Sequence, residues 1–304
     1  MRAPEAGRAP FGARLAEAMD VAGPLCLGID PHPQLLADWD LPDTPVALER
    51  FSQTALEAAT GTGAHPLVAA IKPQVALYER HGSAGVKVLE RLLAEARRAG
   101  VLTIADAKRG DIGSTMAGYA HAWLSDSSAL AADAVTLSPY LGYGSLAPAI
   151  ELAEATGRGV FVLALTSNPE GASVQHAAGP DGAVARVIAE AAAADNARAL
   201  SAAYGRRDGR QDGARPAFGP VGLVVGATVA GMAAELGIDL AGVCGALLAP
   251  GFGAQGASGA GMRAGFADAW PAVLATSSRA ILRQGPSAAG LRDALTAARD
   301  ELTA

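Results

Sequence analysis

The run Asp106-Ala107-Lys108-Arg109-Gly110-Asp111 closes an apolar stretch, 101–108. Residues two apart in a strand project to one face, so Asp106 and Lys108 are expected side by side. Asp111, past the Gly110 turn, can return toward that face or reach a neighbouring subunit. An ammonium held between carboxylates stays protonated, because opposite charges favour the cationic form. It can hold a proton ready for a carbanion, while the carboxylates oppose any second anion beside them. A strand-end salt bridge would use the same residues. Lys72, in Ile71-Lys72-Pro73-Gln74 at the end of another apolar stretch, tips the reading toward function. Two lysines and two carboxylates brought together are costly for structure alone.

Lysine itself is scarce. Of 24 basic residues only Lys72, Lys87 and Lys108 are lysine, leaving 21 arginines. An ammonium differs from a guanidinium in releasing its proton when its surroundings are tuned. Lys87 lies in a helical pattern, 86–98, and reads as a solvated surface charge. A second chemistry-bearing segment is Pro250-Gly251-Phe252-Gly253-Ala254-Gln255-Gly256. It matches G-x-G-x-x-G, but lies late in the chain instead of in an opening βαβ unit, and 37 glycines make such a match common. The reading that keeps the physics is an anion nest of backbone N–H groups, with Arg279 adding a planar, charge-assisted grip. A surface turn beside a solvated Arg is the alternative. No G-x-S-x-G or GK[ST] run occurs, and His32, His65, His81, His121 and His176 lack metal-ligand spacing. His32, just after Asp30, is within reach of the same site.

These residues need elements to aim them. Eight short apolar runs punctuate the chain at 24–30, 67–74, 101–108, 134–140, 160–165, 221–228, 246–252 and 272–278. Helical patterns lie between them at 46–59, 85–99, 114–124 and 146–155, and a last one at 291–302. Strands alternating with helices predict a parallel sheet covered on both faces. Eight repeats in 304 residues favour an α/β fold with one closed (β/α)8 barrel, spanning 1–304. Reactive groups then belong at the C-terminal strand ends, where the clusters named above fall. The gap between the fifth and sixth strands is oversized. We read 171–219 as an insertion, with an Ala-rich helix over 184–203 and a mobile surface loop over 205–219.

Composition excludes several classes. Half the residues are apolar and 18% charged, which rules out a disordered chain. A net charge of −6 argues against a nucleic-acid or anionic-membrane binder. The uncharged stretches 216–234 and 240–262 have spanning length, yet glycines and Pro250 interrupt them as they would strand, turn and loop. Cys26 and Cys244 both sit in apolar runs and are expected as buried, reduced thiols of a cytoplasmic protein. The N-terminal segment has no apolar core of a secretory signal.

Taken in order, Leu27-Gly28-Ile29-Asp30-Pro31, Ile71-Lys72-Pro73, the stretch from Asp106 to Thr115 and the stretch from Ala249 to Gly256 resemble the orotidine 5′-phosphate decarboxylase family. The longer form found in many bacteria is the more similar, and the resemblance runs over 11–295. It implies a cytoplasmic homodimeric TIM barrel of pyrimidine biosynthesis. Orotidine monophosphate would lose CO₂ to give UMP, without metal or organic cofactor. By the same resemblance Lys108 protonates C6 of the pyrimidine, and Asp106 lies beside the substrate carboxylate. Lys72 and Asp30 serve the ribose and the charge network, and Ser167 meets the pyrimidine. Gln255 and Arg279 meet the phosphate, with Pro250, Gly251 and Gly256 in the same binding loop. Asp111 and Thr115 reach the partner subunit's site. Two alternatives stand beside this: a Mg²⁺-dependent sugar-phosphate decarboxylase of the same superfamily, which Lys72 at the second strand end disfavours, and a noncatalytic nucleotide-binding scaffold.

Overall fold

A computed structural model describes residues 7–204, 217–253 and 256–304. Each of the eight apolar runs overlaps one strand of a closed, wholly parallel barrel. In chain order the strands are β1 (Leu25–Ile29), β2 (Ala70–Pro73), β3 (Leu102–Arg109), β4 (Ala134–Leu137), β5 (Gly159–Leu165), β8 (Val221–Val225), β9 (Leu247–Pro250) and β10 (Val273–Ser277). β6 (Ala178–Gly179) and β7 (Gly182–Ala183) form a separate small hairpin. The barrel closes through β1–β10 and β1–β2 pairing. Its strands are short and apolar because both faces are covered.

One inward side chain from each strand builds the barrel interior: Cys26, Ala70, Ile104, Ala134, Phe161, Val224, Leu248 and Leu274. Phe11, Leu15 and Met19 of helix α1 (Phe11–Ala22) pack into the same cluster and plug the N-terminal end. Phe11 meets Phe161 edge-on, with ring centroids 6.0 Å apart. Burying each such large side chain stabilises the fold by about 1.5–3 kcal/mol. Gly222 belongs to this packing, since a Cβ there would fall 2.5 Å from the Phe161 ring.

The outer cluster lies between strands and helices. Its chain order is α2 (Pro33–Asp38), α3 (Pro45–Thr60), α4 (Ala76–Glu79), α5 (Gly82–Arg98), α6 (Gly113–Leu124), α7 (Ala147–Ala155), α8 (Ala172–Gln175), α9 (Val184–Tyr204), α10 (Met232–Glu235), α11 (Gly259–Phe266), α12 (Arg279–Leu282) and α13 (Ala288–Thr303). Two of the long helices start on chemical signals: Thr44 caps α3, with Pro45 in its first turn, and Ser287 caps α13. Helix α5 buries Val88, Leu89, Leu92, Leu93 and Ala96 along one stripe and leaves Lys87 exposed, as its periodicity predicts.

The 184–203 reading corresponds to α9, whereas the β6–β7 hairpin and the short helices carry too little periodicity to be read. Most of the 205–219 segment, residues 205–216, lies outside the described residues. Among the described residues no helix is long and apolar enough to cross a membrane. One expectation is corrected: Cys26 is buried, but Cys244 is exposed. Val243 takes the buried place beside it, and Cys244 turns out at φ +53°.

Candidate active site

Strand alternation carries the interior pattern up to the C-terminal mouth. Lys72, Asp106 and Thr136 each lie two residues beyond an interior side chain, Ala70, Ile104 and Ala134, and so share its face one step higher. All three are buried. Lys72 Nζ donates to Asp106 Oδ2 at 2.7 Å, and Gln74 Nε2 donates to the same oxygen at 3.1 Å. Lys108 Nζ donates to Asp106 Oδ1 at 2.5 Å, joined there by the Thr136 hydroxyl at 3.0 Å. One carboxylate therefore receives four donors, two of them ammonium groups.

Burial alone would push the Asp106 carboxyl up. The Lys72 and Lys108 ammonium groups outweigh it and hold this acid well below the usual carboxylate range. Burial likewise disfavours the charge on Lys72, but Asp106 and then Asp30 outweigh it, and its affinity for the proton is raised. Lys108 differs in access: its side chain is 46% exposed, against 6% for Lys72. Its ammonium is thus held by Asp106 yet presented to the mouth.

The Asp106–Lys108 pairing forms, but not along a regular strand. The β3–β4 register shifts between Ala105 and Arg109, and Lys108 adopts φ +47°. Arg109 fixes the far side of this bulge. It pairs with Glu79, donates to Ala107 O at 3.2 Å, and lies over the Tyr119 and Trp123 rings.

Asp111 departs from one of its two expected placements. Within the chain it joins neither lysine, and its Oδ1 accepts from the Ile112 N–H at 2.8 Å. Gly110 passes so close to Ser138 that a Cβ there would strike its carbonyl oxygen, and Asp111 beyond it is half-buried. Asp30 is the second acid facing Lys72. Among the described residues its Oδ1 is buried with no hydrogen-bond partner, as are Thr276 Oγ1 and Ser278 Oγ at the end of β10. β1 and β10 come so close there that a Cβ on Gly28 would lie 2.8 Å from Ser278 Cβ. Thr115 is exposed in the first turn of α6.

Ser167 follows β5, exposed and close to Gly226, where a Cβ would come within 3.2 Å of its own. The neighbouring Thr166 is strapped to α8: its N–H donates to Gln175 Oε1 at 2.8 Å, and Gln175 Nε2 donates back to its hydroxyl at 2.7 Å. On the far side of the mouth, Pro250 ends β9, and Gly251 and Gly256 take φ +119° and +88°. Within this segment the Gly253 N–H donates to Ala257 O at 2.9 Å and that of Gly256 to Gly253 O at 3.0 Å. Gln255 lies outside the described residues. Arg279 is exposed at the start of α12, and the loop leans on its neighbour: a Cβ on Gly253 would lie 3.2 Å from Ala280 Cβ. Among the described residues no group of three or more His, Cys, Asp or Glu gathers as a metal site would require.

Gln74 and Thr136 were missed in the sequence, although alternation from Lys72 and Ala134 marks both as candidates for the same face.

Comparison with known proteins places the chain in a family. A protein of Salinispora arenicola (strain CNS-205) named orotidine 5′-phosphate decarboxylase is 53% identical over 285 residues, covering 93% of this chain and 94% of the relative. One of the same name from Streptomyces coelicolor (strain ATCC BAA-471 / A3(2) / M145) is 50% identical over 287 residues, 94% of each chain. A crystal structure from Streptomyces avermitilis ma-4680 superposes with a TM-score of 0.87 at 49% identity, covering 100% of this chain and 98% of the other. Residues 23–294 match the Orotidine 5′-phosphate decarboxylase / HUMPS family, and the chain belongs to it.

Proposed function

We propose that this chain is a carboxy-lyase that converts orotidine 5′-phosphate to UMP and CO₂ in pyrimidine biosynthesis, with Lys108 as the proton donor. The observation that carries this reading is the Lys72–Asp106–Lys108 array, closed on itself except at the exposed Lys108 ammonium. Loss of CO₂ leaves an electron pair on C6, a carbon without an adjacent carbonyl to receive it. Stabilisation must then come from fixed charge, which is strongest where its dipoles are already oriented and water is excluded. Asp106 stands where the departing carboxylate would be opposed by a like charge. Lys108 faces the developing carbanion and passes its proton to C6. One such group supplies only part of the 8–23 kcal/mol, roughly, by which enzymes lower barriers. Binding energy from the remote phosphate supplies orientation.

In this reading Asp30 and Lys72 hold the ribose and the charge network, and Ser167 contacts the base. Pro250, Gly251, Gln255, Gly256 and Arg279 hold the phosphate. We take 1–304 as one barrel domain with 171–219 inserted, a cytoplasmic protein acting on a small nucleotide and requiring no cofactor. Asp111 and Thr115 complete the site of a second copy. The placement of Asp111 on the Ile112 N–H instead of on either lysine supports this, as do Ile112, Tyr140 and Leu141, which are 62%, 79% and 54% exposed on the adjoining loops. Lysine at the second strand end keeps the Mg²⁺-dependent sugar-phosphate reaction disfavoured. The test follows the absorbance of orotidine 5′-phosphate with purified protein, with and without EDTA. Turnover indifferent to the chelator is expected; binding of UMP without turnover, or turnover lost with EDTA, contradicts the proposal. Mixed Lys108→Ala and Asp111→Ala protomers should recover activity that neither has alone, which a monomer could not do.

A further inference from the structure

We propose that Thr136 is a positioning residue that sets both ends of Lys108 through the bulge in β3. This inference rests on reading Lys108 as the proton donor. The register pairs Ile104 with Ala134 and Ala105 with Val135, and then resumes with Arg109 opposite Leu137. Asp106, Ala107 and Lys108 therefore stand opposite Thr136 alone. A bulge leaves ladder groups without their regular partners, and the Lys108 N–H is one of them. Lys108 also has φ +47°, a backbone region that residues with a Cβ seldom occupy and keep only where their surroundings over-determine it.

The Thr136 hydroxyl fills this gap. It accepts the Lys108 N–H at 2.9 Å and donates its own proton to Asp106 Oδ1 at 3.0 Å. That oxygen is also the one on which the Lys108 ammonium rests, 2.5 Å away. A single oxygen atom thus holds the main chain of Lys108 in its unusual conformation and orients the carboxylate that anchors its side chain. Gln74 and Lys72 act on the other oxygen, Oδ2, and leave this task to Thr136. Threonine suits the place because its branched Cβ restricts χ1, and Thr136 is 1% exposed, packed into the barrel wall. Valine copies its shape and makes neither bond. Serine makes both bonds with less rigid packing.

The experiment compares Thr136→Val, Thr136→Ser and Lys108→Ala in steady-state decarboxylation of orotidine 5′-phosphate, with rates normalised to folded protein by thermal unfolding. Thr136→Val should lower kcat by about 10- to 100-fold, the range spanned by hydrogen bonds to charged groups, with KM within about threefold of the unmodified protein. Thr136→Ser should return kcat to within about threefold of it. An unchanged kcat in Thr136→Val beside an inactive Lys108→Ala overturns the role of Thr136 alone. So does equal impairment of the Val and Ser variants, or a loss confined to KM. Full activity in Lys108→Ala overturns the underlying reading instead. Should Thr136→Val not fold, Thr136→Ala against Thr136→Ser carries the same comparison, with the same split expected and equal activities overturning it.

Discussion

On the β2–β4 side of the mouth, the Asp106 carboxylate already takes Lys72, Gln74, Lys108 and Thr136 as donors. Next to it, where β1 meets β10, Asp30 Oδ1, Thr276 Oγ1 and Ser278 Oγ are buried with no hydrogen-bond partner among the described residues, and Arg279 stands exposed. The first region is organised before anything binds, as electrostatic catalysis requires, because dipoles that must reorient during reaction stabilise less. The second keeps its polar capacity in reserve, as a region that recognises a ligand must. Chemistry and grip are therefore assigned to different strands of one barrel mouth, and substitutions in the two regions should fail differently.

The largest effect should come from Lys108→Ala. Removing the proposed proton donor should cost about 10²–10⁴-fold in kcat, while affinity for UMP survives in part. Unaltered turnover would remove Lys108 from the chemistry. On the same side, Asp106→Ala leaves the buried Lys72 ammonium without its partner. Breaking a buried pair in this way costs about 3–5 kcal/mol, to be read from denaturant unfolding; a loss under about 1 kcal/mol would show the pair to be dispensable to the fold.

On the other side the failure should be one of binding. Arg279→Ala removes a charge-assisted contact and should raise KM by about 10- to 100-fold, with the smaller effect on kcat. Titration with UMP checks this directly, and intact affinity would move Arg279 out of the phosphate site.

The charges set a pH window for the first region. Asp106 is held below its ordinary range, so its contribution to stability is present above that range and is lost as pH falls through the depressed value. Lys72 is raised, so its contribution is present below the ordinary lysine range and is lost only as pH rises through the raised value. Between about pH 4 and about pH 10 the pair keeps its charges. A limb of the kcat profile inside that window that disappears in Asp106→Asn would contradict this. Cys26, whose thiol burial pushes up to about 12, should resist alkylation at neutral pH in the native protein, while the exposed Cys244 reacts.

The legibility of the chain in its sequence follows the same division. Strand runs and strand-end clusters were readable because a strand buried on both faces is apolar throughout and stops at its polar residues. The Lys72–Asp106–Lys108 array was readable for that reason, and because lysine is rare here. What escaped depends on departures from regular repeats. Thr136 acquires its importance only from a register shift in the neighbouring strand, which no local pattern announces. Asp111 was ambiguous because Gly110 lets the chain leave the face in either direction. The exposure of Cys244 turns on a positive φ at a single residue, invisible in an apolar run.

The smallest expected effect concerns α8, and it sharpens the contrast by joining the two sides. Ser167 lies on an exposed loop, and its neighbour Thr166 is held by two hydrogen bonds from Gln175 of α8. Thr166 in turn donates to Asn168 Oδ1 at 2.7 Å, so the loop around Ser167 is braced on both flanks. Gln175→Ala removes both bonds at a half-buried position where water can replace them in part, leaving a net cost of about 0.5–1.5 kcal/mol per bond at most. The loop, not the charge array, then loosens. We expect kcat/KM to fall by about three- to tenfold, with unfolding free energy lowered by about 1–3 kcal/mol at most. Since Ser167 is assigned to the base and Arg279 to the phosphate, the double variant Gln175→Ala, Arg279→Ala should show additive losses. Strong coupling between them would mean that α8 acts on the phosphate side as well, and the division of the mouth into two independent regions would have to be redrawn.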